Sequence, residues 1–568
     1  MNKFVFLFIF LSSYLFGQKQ TLKIFDSSNG KLITKNTFTD SLTLINFTND
    51  FIFRKNLNGY ISAHYDSIYS DTLANYYYFL NSGKKYFWKK ISFNIPDYIL
   101  RKASVKKRTF EEKKINPKKL QNEINKILTY YENNGYPFVS AKLDSVNILD
   151  NFVSANLIVE KNNLITINKI NITGNTKTSK QFLLRYFNIK KGEFYSEKKI
   201  KKIDNLLHNL RFISQKKSLQ ILFTTDSAEI NLYLNKKNAN QFNGMLGFLP
   251  DNKLGKINLT GELNLHLINP FKHAEEIIFN WRKLEPLSQE LNTEISLPYF
   301  LNTNLGIKAK FNLLKKDTTY LNTNPYLSVL YYFSGNNYVN IFYEQKTSSL
   351  ISTYGFENLT VLPDYADFST NIYGFGINAN NLDYFYNPHK GIFVDISIGT
   401  GEKRIKKNSK INKILYNDIS LKTTTYQGKS EINFYFPIYR DFIIKYRNSS
   451  GFIKSDNLFV NELFQLGGIS TIRGFDEKSI FASSYTISSV ELRYLFEMNS
   501  AVYGFFDYCN YEQKLSTNVT DAPYGFGVGV DFETKIGIFT INYALGSQKN
   551  NAIMLNSAKI HFGYLNRF

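Results

Sequence analysis

The stretch Gly467-Gly468-Ile469-Ser470-Thr471-Ile472-Arg473-Gly474-Phe475 places one arginine between a glycine pair and a Gly-Phe turn. It interrupts a region of alternating strands, about a hundred residues before the chain ends on Phe568. Glycine adopts backbone conformations that other residues avoid, so this stretch can turn sharply. The pattern predicts a loop that folds back and holds a single cation at a defined position.

The N-terminus has the pattern of a secretory signal peptide. Lys3 precedes an apolar run from Phe4 to Leu11, and polar and small residues then lead to Gly17. The run is too short to span a bilayer, which requires about 20 apolar residues. We expect residues 1–17 to be a signal peptide that is cleaved after Gly17.

Composition narrows the class of protein. Cys509 is the single cysteine, so no internal disulfide can staple the fold. The formal net charge is +22, but an exported chain meets little nucleic acid. We therefore expect no nucleic-acid partner, and we expect the lysines and arginines to face the periplasm and anionic lipid headgroups.

An internal repeat marks the first part of the chain. Asn58-Gly59-Tyr60 and Asn134-Gly135-Tyr136 are each followed by a Ser-Ala-x-x-Asp-Ser word, and strands and helical patterns mix up to residue 238. Repetition at this period indicates small structural modules, although one larger α+β domain gives the same mixture. We expect three modules of strand, helix, helix, strand, strand, with boundaries at 18–82, 83–163 and 164–238.

From residue 239 onward the sequence is almost entirely strand and turn. In one window Val490, Leu492 and Tyr494 alternate with Ser489, Glu491 and Arg493. A soluble sandwich also alternates, but a membrane barrel accounts better for the signal peptide, the 50 Phe and 40 Tyr, and the lack of a long apolar run. We expect residues 239–568 to form a transmembrane antiparallel β-barrel of 16 strands, with 14 or 18 fitting the length nearly as well.

These features resemble the BamA/TamA outer-membrane assembly superfamily, in which periplasmic POTRA modules (β-α-α-β-β) precede a 16-stranded barrel. The motif from Gly467 to Phe475 is similar to the signature of the family's sixth extracellular loop. Further matches are Asn387-Pro388-His389-Lys390-Gly391, Glu491-Leu492-Arg493 and Phe505-Phe506-Asp507. Three modules and this length resemble the TamA branch more than the longer BamA proteins.

The resemblance implies a role for each residue of the motif. The loop of the family tucks into the barrel lumen, so Arg473 is expected to pair with Glu491, Asp507 or both. Gly474 is expected to allow a tight turn and Phe475 to pack beneath it; the rest of the motif is Gly467, Gly468 and Ile472. The alternative is an ordinary surface hairpin with an exposed arginine.

Two positions depart from the family pattern. Cys509 stands where the family usually has Gly two residues after the wall aspartate, and Lys535-Ile536-Gly537 replaces a Pro-Gly turn. Neither change removes a proposed partner of Arg473. They leave the packing around the loop open.

The two ends of the barrel are expected to meet at a weak seam. The first strand, near residues 240–248, contains Asn243 and Gly244, and the last strand contains Phe562, Tyr564 and Phe568. Glycine weakens strand pairing because it lacks a side chain and costs backbone entropy. An open seam would expose an edge that templates an incoming strand; the alternative is a plainly closed pore.

The sequence gives little support for an enzyme. The six histidines are scattered, and no metal-binding spacing, nucleophile elbow or phosphate-binding loop is present, so we expect no catalytic residue, metal or cofactor. Gly525-x-Gly527-x-Gly529 lies in an alternating strand and is interpreted as a source of barrel curvature, and His561 as a polar residue of the lumen wall.

The prediction is an outer-membrane assembly or translocation factor whose modules lie in the periplasm. Its expected partners are unfolded outer-membrane or secreted polypeptides, outer-membrane lipid, and accessory proteins of the periplasm or inner membrane. Two alternatives stay open: a two-partner-type secretion pore for one dedicated substrate, and a surface barrel with no role in transport.

Overall fold

The computed structural model describes residues 19–72, 74–251, 256–283, 287–354, 356, 359–515, 517–534, 537–549 and 553–566, without the side chains of residues 248–251, 256–259, 565 and 566. The predicted signal peptide, Lys535, Ile536 and Phe568 lie outside these residues.

The chain divides into two compact units. One contains the described residues up to Thr166 together with 194–197 and 224–227, and the other contains the remaining residues. Within the described ranges, no helix combines the length and apolarity that crossing a bilayer requires.

The first module has four strands and one helix: β1 (Gln20–Asp26), β2 (Leu32–Phe38), α1 (Ser41–Leu57), β3 (His64–Ser70) and β4 (Asn75–Asn81). Their order in the sheet is β2-β1-β4-β3. It departs from the predicted order because a strand, β2, stands where the first helix was expected. The Asp26 carbonyl accepts from Gly30 N at 2.8 Å, and Gly30 has a φ of 68°, so the chain turns into a hairpin there.

The second module follows the predicted order, with β5 (Phe87–Phe93), α2 (Asp97–Lys102), α3 (Pro117–Glu132), β6 (Ser140–Leu149) and β7 (Phe152–Glu160). Helix α3 begins where the Asn116 side chain accepts from Lys119 N at 2.9 Å. Its buried face carries Ile127 and Tyr131, which belong to one core with Trp88 of β5. The spacing of four residues places both side chains on the face that meets the sheet.

The third module also follows the predicted order, with β8 (Thr166–Thr173), α4 (Lys180–Tyr186), α5 (Glu197–His208), β9 (Ile213–Phe223) and β10 (Ser227–Lys236). Its sheet order is β8-β10-β9. Helix α5 buries Ile200, Ile203 and Leu207, three and four residues apart, and leaves its lysines outward. The alternation of Ala228, Ile230, Leu232 and Leu234 along β10 completes this core.

A large antiparallel sheet follows. Its segments in chain order, with a small hairpin of β22 and β23 between them, are β11 (Gln241–Asp251), β12 (Lys256–Ile268), β13 (Glu276–Lys283), β14 (Gln289–Leu297), β15 (Leu305–Lys316), β16 (Tyr320–Ser334), β17 (Asn337–Leu350), β18 (Asp367–Asn380), β19 (Gly391–Lys406), β20 (Lys422–Tyr439), β21 (Phe442–Lys454), β22 (Phe464–Leu466), β23 (Ile480–Ala482), β24 (Ser484–Glu497), β25 (Ser500–Lys514), β26 (Asn518–Asp521), β27 (Tyr524–Thr534), β28 (Gly537–Ser547) and β29 (Lys559–Asn566).

The described strands fill sixteen positions in this sheet, which confirms the count predicted from chain length. Both β26 and β27 pair with β25, and only Ala522 and Pro523 separate them. Proline has no backbone N–H to donate to a ladder, so it interrupts the strand. The strand order begins at β11 and ends at β29, and no ladder joins these two strands in the described part of the chain.

The two faces of the sheet differ in chemistry as the alternation predicted. On β24, Val490, Leu492 and Tyr494 are 46%, 53% and 43% exposed, whereas Ser489, Glu491 and Arg493 are at most 6% exposed. Apolar side chains thus cover the outer face, and polar side chains are buried on the inner face. A barrel that meets lipid outside and a wet lumen inside needs this arrangement.

The third module packs directly on turns of the sheet, within the same compact unit. The Tyr186 ring lies 6.2 Å from the ring of Tyr299, which follows β14, and the Tyr299 ring stacks on Tyr332 at 4.6 Å. The Tyr186 carbonyl accepts from Gly335 N at 2.7 Å, and the Tyr299 hydroxyl donates to the Gly335 carbonyl at 2.7 Å. Aromatic packing and these bonds fix the module against the ends of β14 to β17.

The net charge is concentrated in two of the modules. Residues 83–238 carry 31 Lys and Arg against 13 Asp and Glu, whereas residues 239–568 carry 31 against 29. The sheet region is therefore close to electroneutral, and the second and third modules hold most of the excess.

Leu492→Lys tests the assignment of the outer face. A cation in the middle of a lipid-facing strand costs about 2–4 kcal/mol, so we expect the folded fraction in lipid vesicles to fall in urea titrations. Leu492→Phe keeps the site apolar and is expected to match the parent. Equal stability of the lysine variant would place this face in water.

Candidate functional site

The motif identified in the sequence lies in residues 455–483, between β21 and β24, which we call the lumen loop. Strands β22 and β23 pair with each other at its base. Lys478 Nζ reaches Glu290 Oε1 on β14 at 2.6 Å, and Arg473 reaches β24 and β25. These strands are far apart in the sheet order, so the loop crosses its inner face. The surface hairpin is therefore not the conformation in this structure.

Arg473 donates five hydrogen bonds to the wall of the sheet. Its Nε and Nη2 donate to the two carboxylate oxygens of Asp507 at 2.8 and 2.6 Å, and its Nη1 donates to Glu491 Oε1 at 2.9 Å. Nη2 also donates to Ser489 Oγ at 2.9 Å, and the backbone N–H donates to Asp507 Oδ2 at 3.1 Å. The guanidinium carbon lies 3.6 Å from the centroid of the Phe505 ring. The planar fork thus matches one carboxylate bidentately while its face covers an aromatic ring.

This ion-paired group is buried. Arg473 is 7% exposed, Glu491 is 3% exposed and Asp507 is fully buried. Burial opposes the charge of Arg473, but the hydrogen bonds and charge of Asp507 and the charge of Glu491 outweigh it and raise the pKa of the guanidinium. Removing one member of such a pair typically costs about 3–5 kcal/mol, while the intact pair adds little net stability. The pair therefore serves mainly to fix where the loop lies.

A second buried arginine, to which the sequence interpretation gave no role, extends the group. Arg493 Nη1 donates to Glu491 Oε2 at 2.6 Å, and its Nη2 donates to Asp531 Oδ2 on β27 at 2.6 Å. Lys445 Nζ lies 3.3 Å from both oxygens of Glu491. With Arg473 and Asp507, the group contains three cations and three carboxylates. We call these six residues the lumen charge cluster.

Part of this cluster had a signal in the sequence. Arg493 follows Glu491 by two residues, which places both on one face of a strand. Asp531 and Lys445 carried no such signal, because their approach depends on the register of β21 and β27 against their neighbours.

Glycines allow the loop to lie close to the wall. Gly467, Gly468 and Gly474 have φ values of 115°, 92° and 90°, where other residues are strained. A Cβ added to Gly474 would lie 2.8 Å from the Leu545 carbonyl oxygen, and one added to Gly525 would lie 2.0 Å from the Arg473 carbonyl oxygen. Gly525 was interpreted as a source of curvature; in the structure it makes room for the backbone of the loop.

Ile472 and Phe475 anchor the loop through apolar contacts. Both belong to a buried cluster with Ile487 of β24 and Cys509 of β25. Cys509, one of the two departures from the family pattern, is fully buried in this cluster. A thiol behaves there as a small apolar group and fills the space beneath the loop.

The loop also contacts the last strand. Gly474 N donates to His561 Nε2 at 3.2 Å, and Lys559 Nζ lies 2.8 Å from Asp476 Oδ1. His561 therefore faces the inner side of the sheet, against the loop. The motif touches the same strand that forms one side of the predicted seam.

The residues predicted for the seam lie at the two ends of the sheet. Asn243 and Gly244 are on β11, opposite Asn264 and Leu263 of β12. Phe562 and Tyr564 are on β29, opposite Ile541 and Phe539 of β28. The structure thus brings Arg473 together with both predicted carboxylates, whereas it does not pair β11 with β29 in the described residues.

Among the residues that the structure describes, no three His, Cys, Asp or Glu side chains are grouped to hold a metal ion.

Comparisons with known proteins agree with this architecture. The model of the Omp85 superfamily domain matches residues 269–568, and the POTRA model, a surface antigen variable number repeat, matches residues 165–236. No curated protein matches the chain.

The two CdiB structures share the fold at low sequence identity. CdiB from Acinetobacter baumannii aligns with 15% identity and a TM-score of 0.52, covering 85% of this chain and 90% of that one. CdiB from Escherichia coli aligns with 12% identity and a TM-score of 0.50, covering 86% and 91%. BamA from Haemophilus ducreyi, lacking POTRA domains 1–3, aligns with 16% identity and a TM-score of 0.40, covering 85% and 100%. The placement in the TamA branch is not tested by these matches and stays a prediction.

Arg473→Ala tests whether the ion pairs hold the loop in place. Cys509 is the only cysteine and is buried beneath the loop, so its reaction with a thiol reagent reports how often the loop lifts. We expect the labelling rate to rise at least about tenfold, which corresponds to 1.4 kcal/mol. Arg404→Ala, which breaks an exposed ion pair with Glu402, is the control and is expected to have no effect. An unchanged rate in the Arg473 variant would show that other contacts hold the loop.

Gly525→Ala tests the close approach of the loop backbone to β27. The added methyl group would lie 2.0 Å from the Arg473 carbonyl oxygen, so the loop must shift. We expect a loss of about 1–3 kcal/mol in the free energy of unfolding, together with faster Cys509 labelling. Gly504→Ala is the matched control, because its added Cβ would lie 4.0 Å from the nearest atom. Equal behaviour of the two variants would contradict the packing described above.

Proposed function

The chain belongs to the Omp85 superfamily, whose members are transport and assembly factors, and from this premise we propose that it inserts or exports polypeptides at an outer membrane. The sheet would span that membrane as a barrel, and the modules would lie in the periplasm. The clients would be unfolded outer-membrane or secreted polypeptides. The process would use no nucleotide or cofactor and no catalytic residue.

The observation that carries this proposal is that, within the described residues, β11 and β29 approach each other without a ladder between them. In lipid, unpaired backbone N–H and C=O groups are costly, so a strand edge that faces the bilayer favours the addition of another strand. A client strand would pair with such an edge through its main chain, whatever its side chains. Such pairing would let one factor serve clients that differ in sequence.

Gly244 and Gly247 on β11 support the same conclusion. Strand β11 pairs with β12 along its whole length. Because glycine gives a strand no side chain to pack across a ladder, pairing at the other edge of β11 would be weak. A weakly paired first strand can exchange its partner, which closed barrels avoid.

The driving force would come from the client. Burying its apolar side chains in lipid and completing its own ladders are both favourable, so the factor needs only to offer a template and a path. The lumen loop would hold the inner face of β24 to β29 in place during this exchange.

The modules would receive clients before they reach the seam. Their sheets end in edge strands, such as β2 and β3 in the first module and β5 and β6 in the second. Extended peptides add to such edges by main-chain hydrogen bonds. Outer-membrane lipid and accessory proteins of the periplasm or inner membrane are further proposed partners.

A secretion pore of the two-partner type is the second candidate, because the lumen is the alternative route. In the structure the lumen loop crosses the inner face of the sheet, from Glu290 on β14 to Asp507 on β25. A polypeptide that passed through the lumen would have to displace this loop. A lateral inserter would not.

A covalent lock across the seam separates these candidates. Cysteine pairs would be placed between Phe242–Leu246 of β11 and Ile560–Tyr564 of β29, in a Cys509→Ser background. In vesicles that contain the purified protein, we expect the oxidised pair to abolish insertion of a client barrel and a reducing agent to restore it.

Controls make the result decisive. Single-cysteine variants should insert clients whether oxidised or reduced. A locked protein that still exports its substrate through the lumen would favour the secretion pore. If depletion of the chain in cells leaves unrelated barrels at their normal levels, the surface barrel without a transport role is favoured instead.

A further inference from the structure

Arg493 also forms a hydrogen bond to a residue outside the lumen charge cluster. Its Nη2 donates to Asn387 Oδ1 at 2.9 Å, in addition to Asp531. Asn387 lies in residues 381–390, between β18 and β19, and is 8% exposed. We call residues 381–390 the strap. A buried cation thus depends on a neutral side chain from a distant part of the sheet.

The strap has a defined conformation of its own. Asp383 Oδ1 accepts from the backbone N–H groups of His389 and Lys390 at 3.0 and 3.2 Å. Asn381 N donates to the Ile392 carbonyl at 2.9 Å. These bonds close the segment on itself, so movement at one end is passed to the other.

The other end of the strap contacts the third module. Asn209 Nδ2 donates to the Leu382 carbonyl at 2.9 Å, and the Arg211 guanidinium carbon lies 4.6 Å from the centroid of the Phe385 ring. Arg211 Nη2 also donates to Glu276 Oε1 on β13 at 2.7 Å. Asn209 is 9% exposed, so its bond to the strap is shielded from water.

We propose that the strap couples the third module to the lumen loop, with Asn387 and Arg493 as the positioning residues. The contacts run from Asn209 to Leu382, from Asn387 to Arg493, and through Glu491 to Arg473. A shift of the third module would then change how firmly the lumen loop is held. The proposed coupling rests on the proposed function, because the event that would shift the third module is the arrival of a client.

Glu491 links the two arginines of the lumen charge cluster, so that a displacement of one affects the other. One of its oxygens accepts from Arg473 and the other accepts from Arg493, at 2.9 and 2.6 Å. A carboxylate held on both sides cannot follow one arginine without weakening its bond to the other. Displacement of Arg493 therefore loosens Arg473, and with it the lumen loop.

Cys509 labelling measures this coupling in the full-length protein without a client. The variants are Asn209→Ala, Asn387→Ala and the double variant, each folded in lipid vesicles, with the folded fraction checked by circular dichroism. We expect Asn387→Ala to raise the labelling rate roughly tenfold, since it removes a hydrogen bond to a charged group. Asn209→Ala should raise it about threefold, since it removes a neutral one.

Non-additivity is the result that identifies coupling. If Asn209 acts through Asn387, Asn209→Ala should add nothing in the Asn387→Ala background. The proposal is overturned if the two effects multiply, if Asn209→Ala has no effect alone, or if Asn387→Ala labels at the parent rate.

Two further variants exclude a merely structural role. Asn387→Asp keeps an acceptor oxygen for Arg493 and is expected to label at the parent rate. Asn378→Ala is the matched control, because Asn378 is equally buried but donates to Asp395, at 2.7 Å, rather than to Arg493. If Asn378→Ala labels as fast as Asn387→Ala, the effect is general loosening and the coupling is rejected. All these labelling measurements are made without a client. A negative result would therefore reject the coupling without bearing on the proposed function, which the disulfide lock across the seam tests separately.

Discussion

The burial of the Arg473 guanidinium away from water is the constraint that determines how the inner face of the sheet is arranged. Arg473 can be buried only where carboxylates meet it, and those carboxylates come from β24 and β25, with Arg493, Lys445 and Asp531 completing the balance. Charge neutrality therefore sets the position of the lumen loop. Gly525 and Gly474 then allow the backbone to approach the wall, and Ile472 and Phe475 seal the contact against Cys509.

Much of this arrangement was accessible from the sequence, for identifiable reasons. The alternation of polar and apolar residues placed Glu491 on a polar face, and the glycine-flanked motif singled out Arg473. The family resemblance was then enough to predict that these two residues pair. The contacts of Asp531 and Asn387 were not accessible, because they depend on strand register and on a connection more than a hundred residues away. The prediction for the first module was wrong at β2, where a helix was expected. The turn from Asp26 to Gly30 makes a hairpin there, which the residue pattern did not indicate.

The lumen loop and the seam are physically linked by the last strand. Gly474 N donates to His561, and Lys559 pairs with Asp476, so the loop touches β29 on the strand's inner side. The ladder with β28 holds the other edge of β29. A change that loosens the lumen loop therefore also removes support from β29, the strand that borders the proposed opening. The lumen loop and the seam would thus not act independently.

The uneven charge of the chain has a consequence for how clients would arrive. With 31 cationic against 13 anionic side chains on residues 83–238, attraction of an acidic polypeptide would act over roughly the Debye length, about 8 Å at physiological ionic strength. A low salt concentration would lengthen the distance over which this attraction acts, and a high salt concentration would abolish the attraction. The nearly neutral sheet would show no such dependence, so capture and insertion would respond differently to the salinity of the habitat.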